Sequence, residues 1–378
     1  MKPIYLDYNA STPIDPAVQL AMAPYLHDAF GNPSSRHWAG EPAKLALDRA
    51  RAQVASLLGA QPDEIVITSG GSEANNLALK GSFFALRGQG EHIITQVTEH
   101  PSVLKPLAFL ERMGASVTYL PVDGTGQVDP DDVRKAMTSR TILVTIMHAN
   151  NETGTLQPVE AIAAIARERG VRFHSDAAQS IGKVPTGVAQ LGVDLLSVAG
   201  HKLYAPKGVG ALYVRRGTVL ESLIHGADHE HGRRAGTESA LLATGLGAAS
   251  ALAQDLQPVA HTMALRDRFW HALQGVFGDR VVLNGHPVQR LPNTLNVSFV
   301  DAIGADILAG LEGVAASTGS ACHSGRIELS PVLAAMGVPE HVGKGAVRFS
   351  LGRATTEDDI DAVMASMRRI AEAGSASR

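Results

Sequence analysis

The sequence predicts an α/β protein: a mainly parallel seven-stranded sheet covered on both faces by helices, with a smaller α+β unit attached. Two observations carry this. From Glu64 onward, short apolar runs alternate with stretches of helical periodicity, the pattern of strands connected by crossover helices. After about Gln257 that alternation gives way to a long helical stretch and scattered strands. A large unit over residues 15–257 and a small unit formed by 1–14 and 258–378 are therefore expected.

Taken in order, IYLDYNASTPID at 4–15 reads as a short strand or extended arm ending in a turn, and GNPSSRH at 31–37 as a polar loop. A helix follows, with Pro42 in its first turn, an apolar stripe of Leu47, Ala50, Val54, Leu57 and Leu58, and Gly59 as its stop. Strands are expected near 65–68, 92–96, 116–120, 141–147, 171–175, 194–199 and 210–214, with helices near 72–87, 102–113, 130–137 and 158–169. In the small unit the pattern gives a helix from about 257 to 276, strands near 280–284, 293–299 and 346–351, and a last helix from about Thr356 to Ala373.

Composition narrows the function. Hydrophobic residues make up 45% and charged residues 19% of the 378, ordinary proportions for a globular protein. No apolar run reaches the length of a membrane span, and Met1-Lys2-Pro3 runs directly into a strand-like segment, so a cytoplasmic protein without a signal peptide is expected. A net charge of −4 without a basic run argues against a nucleic-acid surface. With a single cysteine, Cys322, no intramolecular disulfide can form, and any thiol chemistry falls to that residue.

The candidate site gathers at strand ends. Lys202 follows the apolar run Leu195–Ala199, where open α/β sheets bind ligands. It reads as a solvated loop lysine, a phosphate clamp or a Schiff-base lysine; the absence of a GxxxxGK[ST] loop removes a P-loop. TSGGSEANN at 68–76 is either a simple capped strand–helix turn or a phosphate cradle built on Gly70, Gly71 and Ser72. Asp176 of HSDAAQS is a buried ion-pair acid or a carboxylate facing a ring nitrogen, and His100 of TEHPS stands past another strand. Ser72, His100, Asp176 and Lys202, with Asn151 and Gln179 nearby, are together accounted for by one cofactor that carries phosphate, aldehyde and pyridine groups, pyridoxal phosphate. HGADHEH holds His225, His229 and His231 without a matching acidic or cysteine ligand set, so no metal is expected.

On LDYNASTP, GNPSS, TSGGSEANN, TEHPSV, NNETG, SDAAQSIGK, GHKLYAPKGVGALY, RRAGTES, PNTLNVSF, STGSACHS and VRFSLGR, the chain resembles the class V aminotransferase-type pyridoxal phosphate enzymes, and closely the cysteine desulfurases and selenocysteine lyases. The resemblance implies the fold type I transferase architecture. It makes Lys202 the cofactor-bearing lysine, Asp176 the partner of the ring nitrogen, Gln179 the contact to the phenolic oxygen and His100 the stacking residue and proton carrier. Gly71, Ser72 and His201 fall on phosphate contacts, with Thr237 supplied by the other subunit of a homodimer. Asn151 falls on the asparagine near both the cofactor ring and the substrate, Asn9 and Arg348 on the substrate, Arg348 on its carboxylate, and Cys322 on the nucleophile that takes up sulfur as a persulfide before passing it to an acceptor protein.

The implied activity converts L-cysteine to L-alanine; L-selenocysteine is the alternative substrate, and an aminotransferase or a non-catalytic cofactor-binding protein are further readings. Ala199 stands where many desulfurases carry a hydroxyl, and the sequence ends at Arg378 without the longer tail of the housekeeping desulfurases, which weakens the expectation of iron–sulfur assembly. His323 and SPVLAAMGVP at 330–339 resemble the selenocysteine lyases, and Pro101 after His100 fits neither subgroup.

Overall fold

The computed structural model describes residues 3–318, 322–323 and 326–376. After a short arm strand, β1 (Ile4–Tyr5), the chain builds the central sheet from β2 (Ile65–Thr68), β3 (His92–Gln96), β4 (Ser116–Leu120), β5 (Thr141–Thr145), β6 (Arg172–Asp176), β7 (Leu195–Ala199) and β8 (Gly210–Val214). Their order across the sheet is β2-β8-β7-β6-β5-β3-β4. Only β8 is antiparallel to its neighbours, so the other six strands end on the same edge. Strands β3, β5, β7 and β8 are buried throughout, and β6 in all but its first residue, Arg172, which is why β5, β7 and β8 read as near-continuous apolar runs rather than alternating ones.

Local chemistry explains the helix boundaries. The Glu41–Leu58 helix stops at Gly59, whose left-handed φ of 64° suits a residue without Cβ. The Pro101–Arg112 helix starts with proline at its first position, where no backbone N–H is needed, and His100 caps it by accepting from the Ser102 amide. Pro101 is thus a helix-starting residue.

Besides short helices of 7 residues or fewer, such as Pro16–Met22, one longer helix went unpredicted. Ala240–Leu252 is apolar around nearly its whole circumference, so it carries no helical stripe to read. It packs tightly on Glu41–Leu58: a Cβ on Gly247 would meet Ala50 Cα at 2.6 Å. Strand β5 ends at Thr145, earlier than expected, although His148 beyond it still donates its amide to the Asp176 carbonyl.

The remaining strands are β9 (Val281–Leu283), β10 (Thr294–Phe299), β11 (Val314–Ala315), β12 (Cys322–His323), β13 (Arg326–Ile327) and β14 (Ala346–Ser350). Strands β14, β10 and β9 form an antiparallel sheet with Asn296 opposite Arg348. Against it the Gln257–Phe277 and Glu357–Ala376 helices bury Phe269, Leu273, Ile360 and Val363, in an apolar cluster that also takes in Ile4 and Leu6 of the N-terminal arm. A separate cluster around Val144, Phe173 and Val198 fills the central sheet. The two cores approach each other where β14 meets the strand ends, and there a cavity opens.

Candidate active site

The cavity, about 590 Å³, lies at the C-terminal ends of the parallel strands. Ten of the twelve expected site residues line it: Asn9, Gly71, Ser72, His100, Asn151, Asp176, Gln179, His201, Lys202 and Arg348. Thr237 is exposed and outside it. Cys322 contributes its backbone to β12, and its side chain lies outside the described residues.

Lys202 sits in the turn after β7. Its Nζ donates to the Asn9 carbonyl at 2.5 Å and the Ala10 carbonyl at 2.8 Å. Desolvation, with the Arg348 charge acting the same way and Asp7 and Asp176 opposing, pushes it down to about 8. A lysine amine so placed is partly neutral near neutral pH and can act as a nucleophile or base.

Asp176 ends β6 and is 6% exposed. It accepts from the Ala178 amide at 2.9 Å and from Asn75 Nδ2 at 2.7 Å, with no cation paired to it among the described residues. A buried carboxylate so held is matched to a positive group in the cavity. Asn75 Nδ2 also donates to Ser102 Oγ at 2.8 Å, and Ser102 Oγ lies 2.7 Å from His100 Nδ1. Because the Ser102 amide also donates to Nδ1, that nitrogen is the acceptor and the ring proton sits on Nε2. Desolvation by the cavity walls holds His100 below its ordinary value, Asp176 opposing and Lys202 assisting.

The phosphate-sized end is built by the strand–helix turn after β2. Gly70 adopts φ 147°, open to glycine and strained for other residues, and starts the Gly71–Leu86 helix. A Cβ on Gly71 would lie 3.1 Å from the Ala199 Cβ, so glycine there brings the helix N-terminus against the end of β7. Glu73 is tied down by the Ser69 amide at 2.8 Å and by Arg234 at 2.9 Å. The free first-turn amides form an anion seat. His201 and Lys207 stand beside it, and desolvation chiefly, with Lys202 and Lys207, pushes His201 down to about 4.

Arg348, on β14, reaches across from the smaller sheet. It donates to the Asn151 carbonyl and to Asp7 Oδ1 at 2.8 and 2.7 Å, while its Nε is buried without a partner. Arg348 also lines the cavity, and a guanidinium in a cavity wall is an anion site, which suits a substrate carboxylate.

Sequence reasoning missed Asn75, Ser102 and Asp7. Asn75 and Ser102 stood inside TSGGSEANN and TEHPS, but no role was read for either. Asp7 stood inside LDYNASTP, but nothing in its surroundings pointed to an arginine 341 residues away. Among the described residues no group of three or more His, Cys, Asp or Glu side chains is arranged to hold a metal ion, and His229 accepts from the Gly236 amide at 3.2 Å. Nor is any helix among them long and apolar enough to cross a membrane.

A half-buried, desolvated lysine, a buried acid without a paired cation, a helix-terminus anion seat and an arginine site suited to a carboxylate at the strand C-termini of an α/β sheet define a lysine-dependent enzyme of carbonyl-cofactor chemistry. The chain belongs to the class-V aminotransferase family, whose pattern it matches over residues 4–363, and within it to the cysteine desulfurases. It is 48% identical over 373 residues to the cysteine desulfurase IscS of Dictyoglomus turgidum, covering 98% of this chain and 94% of the relative. To the cysteine desulfurase IscS of Methanosarcina thermophila it is 47% identical, covering 96% and 90%. Among solved structures, a NifS-like protein superposes with TM-score 0.91 at 36% identity, covering 97% of this chain and 99% of the other. A structure described as SspA in complex with cysteine does so with TM-score 0.84 at 38% identity, covering 93% and 100%. Pyridoxal phosphate is the cofactor of this family and of this chain. The cavity fits it: the unpaired Asp176, the glycine-built anion seat and the desolvated Lys202 match its three functional ends.

Proposed function

We propose that this chain removes sulfur from L-cysteine, releasing L-alanine and leaving a persulfide on Cys322. The observation that carries the reading is the tethering of the Cys322 segment to the substrate end of the cavity. Ser317 and Arg348 exchange backbone hydrogen bonds at 3.1 and 2.7 Å, and past the cysteine Ser330 Oγ donates to Glu152, the neighbour of Asn151, at 2.5 Å. Both flanks of the thiol-bearing segment are thereby fastened beside the arginine suited to hold the substrate.

Lys202 would carry the cofactor aldehyde, Asp176 its ring nitrogen, Gln179 its phenolic oxygen, and Gly71, Ser72 and His201 its phosphate, with His100 against the ring. When bound, pyridoxal phosphate draws electrons from the substrate Cα. Arg348 orients the substrate carboxylate, with Asn151 and Asn9 beside it. Lys202 Nζ would take the Cα proton, a role its depressed pKa suits. The Cys322 thiolate would form an S–S bond to the substrate sulfur as the Cβ–S bond breaks; the electron pair of that bond passes to Cβ, which takes up a proton, with His100 Nε2 as its carrier, to give the methyl group of alanine.

The reading extends to a homodimer in which Thr237 of each chain completes the phosphate seat of the other. That is supported by its exposure and by the neighbouring Arg234, which pairs with Glu73 at the seat. A large unit of 15–257 and a small unit of 1–14 with 258–378 fit the two apolar clusters. A cytoplasmic location and a protein acceptor for the sulfur complete the proposal.

Mass spectrometry of Cys322 after incubation with cysteine, alongside alanine release, tests it. The expected result is a gain of one sulfur on the Cys322 peptide, absent from Cys322→Ser together with alanine release. A Cys322→Ser variant that still forms alanine at the wild-type rate overturns the thiol's role.

A further inference from the structure

Lys183, four residues beyond Gln179, has no part in the mechanism above, yet it reaches two of the cavity's polar side chains. Its Nζ donates to Gln179 Oε1 and to Asn9 Oδ1, each at 3.2 Å. No carboxylate pairs with it among the described residues. An ammonium has donors only, so it decides which end of each amide it meets. With both oxygens turned to Lys183, both NH2 groups turn away. Gln179 Nε2 donates to the Asn9 carbonyl at 3.0 Å, and Asn9 Nδ2 to Thr294 Oγ1 at 2.8 Å and the Asn151 carbonyl at 3.3 Å. Asn293 Nδ2 reinforces the arrangement by donating to Asn9 Oδ1 at 3.0 Å. The same Asn9 carbonyl also receives Lys202 Nζ. The second Nε2 proton of Gln179 is left for an acceptor in the cavity.

We propose that Lys183 is a positioning residue that fixes the Gln179 and Asn9 amides so that Gln179 offers N–H to the phenolic oxygen of the cofactor, beside the nitrogen of Lys202. The inference rests on the pyridoxal phosphate reading of the cavity and deepens it. A reversed Gln179 amide would set its NH2 against an ammonium and its oxygen against the Asn9 carbonyl, two repulsive contacts in a buried place.

The cations whose charge acts most on Lys183 are Lys202 and Arg348; Tyr8, Tyr204, Asp255 and Arg353 line a small cavity with it, and the acids nearest to the two cations are Asp7, paired to Arg348, and Asp176. Desolvation first, then these two cations, pushes Lys183 down to about 7. Its remaining charge disfavours a proton on the Lys202 nitrogen. The N–H it aims at the phenolic oxygen stabilises that oxygen as an anion and weakens its hold on the same proton. Both effects lower the pH at which the lysine-bound cofactor loses its proton.

The test is the pH midpoint of the visible absorption band of the purified holoenzyme, measured in wild type, K183M, K183Q and K183R. Removing the ammonium in K183M is expected to raise the midpoint by about one pH unit, tenfold in the proton equilibrium. K183R, which keeps charge and donors, is expected to stay near wild type. The shift should also shrink when K183M is placed on Q179A, because the two act through one hydrogen bond. A wild-type midpoint in K183M, or in K183Q should K183M fail to fold, overturns the proposal, as does a K183R midpoint displaced as far as that of K183M. A wild-type protein with no cofactor band defeats the underlying reading instead, so the two failures are told apart.

Discussion

The central sheet opens into a cavity at each end, and the two differ in organisation far more than in size. At the strand C-termini about 590 Å³ is lined by Asp176, Lys202, His100 and Arg348; at the opposite edge about 520 Å³ is lined by Arg167, Arg169, Arg172 and Arg215, with Asp194. Strand β6 joins them, with Asp176 at one end and Arg172 at the other, roughly 13 Å apart at 3.3 Å per residue. The basic end has more charge but little architecture. Arg167 and Arg169 are exposed, and Arg215 is occupied by the Val193 carbonyl and Asp194. In the other cavity Asp176 and Arg348 each hold two hydrogen bonds from separate elements, and Lys202 is half-stripped of water. What marks an active site here is charge held in place by burial, since exposed charge is solvated and free to move.

That contrast can be broken by substitution. The largest effect is expected from Arg348→Gln, which removes a charged contact to the substrate carboxylate worth about 1.5–3 kcal/mol. The kcat/KM for cysteine should fall roughly 10- to 150-fold, with KM taking the larger share; an unchanged KM contradicts the assignment.

A second, smaller effect concerns Glu99, buried behind Asp176. Burial pushes its carboxyl up from 4.5 to about 8, against the hydrogen bonds from the Met147 amide at 2.5 Å and Gln96 at 3.1 Å. The folded protein therefore keeps a proton that the unfolded chain releases, so the stabilisation is full below pH 4.5 and is lost as pH rises toward about 8. Denaturant unfolding from pH 5 to 8 should show wild type losing stability relative to Glu99→Gln, by at most about 1.4 kcal/mol per pH unit. Parallel pH profiles would remove the buried proton from the account.

The smallest effect is expected at the basic end. Arg167→Ala and Arg169→Ala should each change stability by no more than about 0.5 kcal/mol and leave turnover intact. Loss of activity in either would mean that the far cavity is coupled to the near one.

How much of this was legible in the sequence follows the same division. Strand ends carry local signals: an apolar run stops, a glycine or proline appears, and Lys202, Asp176, His100 and the TSGGSE turn stand just past the stop. What the sequence hid were pairings between distant segments, such as Asp7 with Arg348, Asn75 with Asp176, and the buried Arg51–Glu230 pair at 2.6 Å. These depend on how elements pack, which no local period encodes. The Ala240–Leu252 helix was hidden for a related reason, because a helix apolar on most sides shows no stripe. Lys183 was in plain view within SIGK, but its role emerges only once Gln179 and Asn9 are seen to meet it.

Two desolvated lysines, Lys202 and Lys183, compete for the central role, and one measurement separates them. Borohydride reduction of the purified holoenzyme fixes the cofactor to the lysine that holds it, and peptide mapping by mass spectrometry then locates the pyridoxyl group. The account predicts the label on the peptide containing Lys202, with none on Lys183. A label on Lys183, or on no lysine lining the cavity, would contradict it.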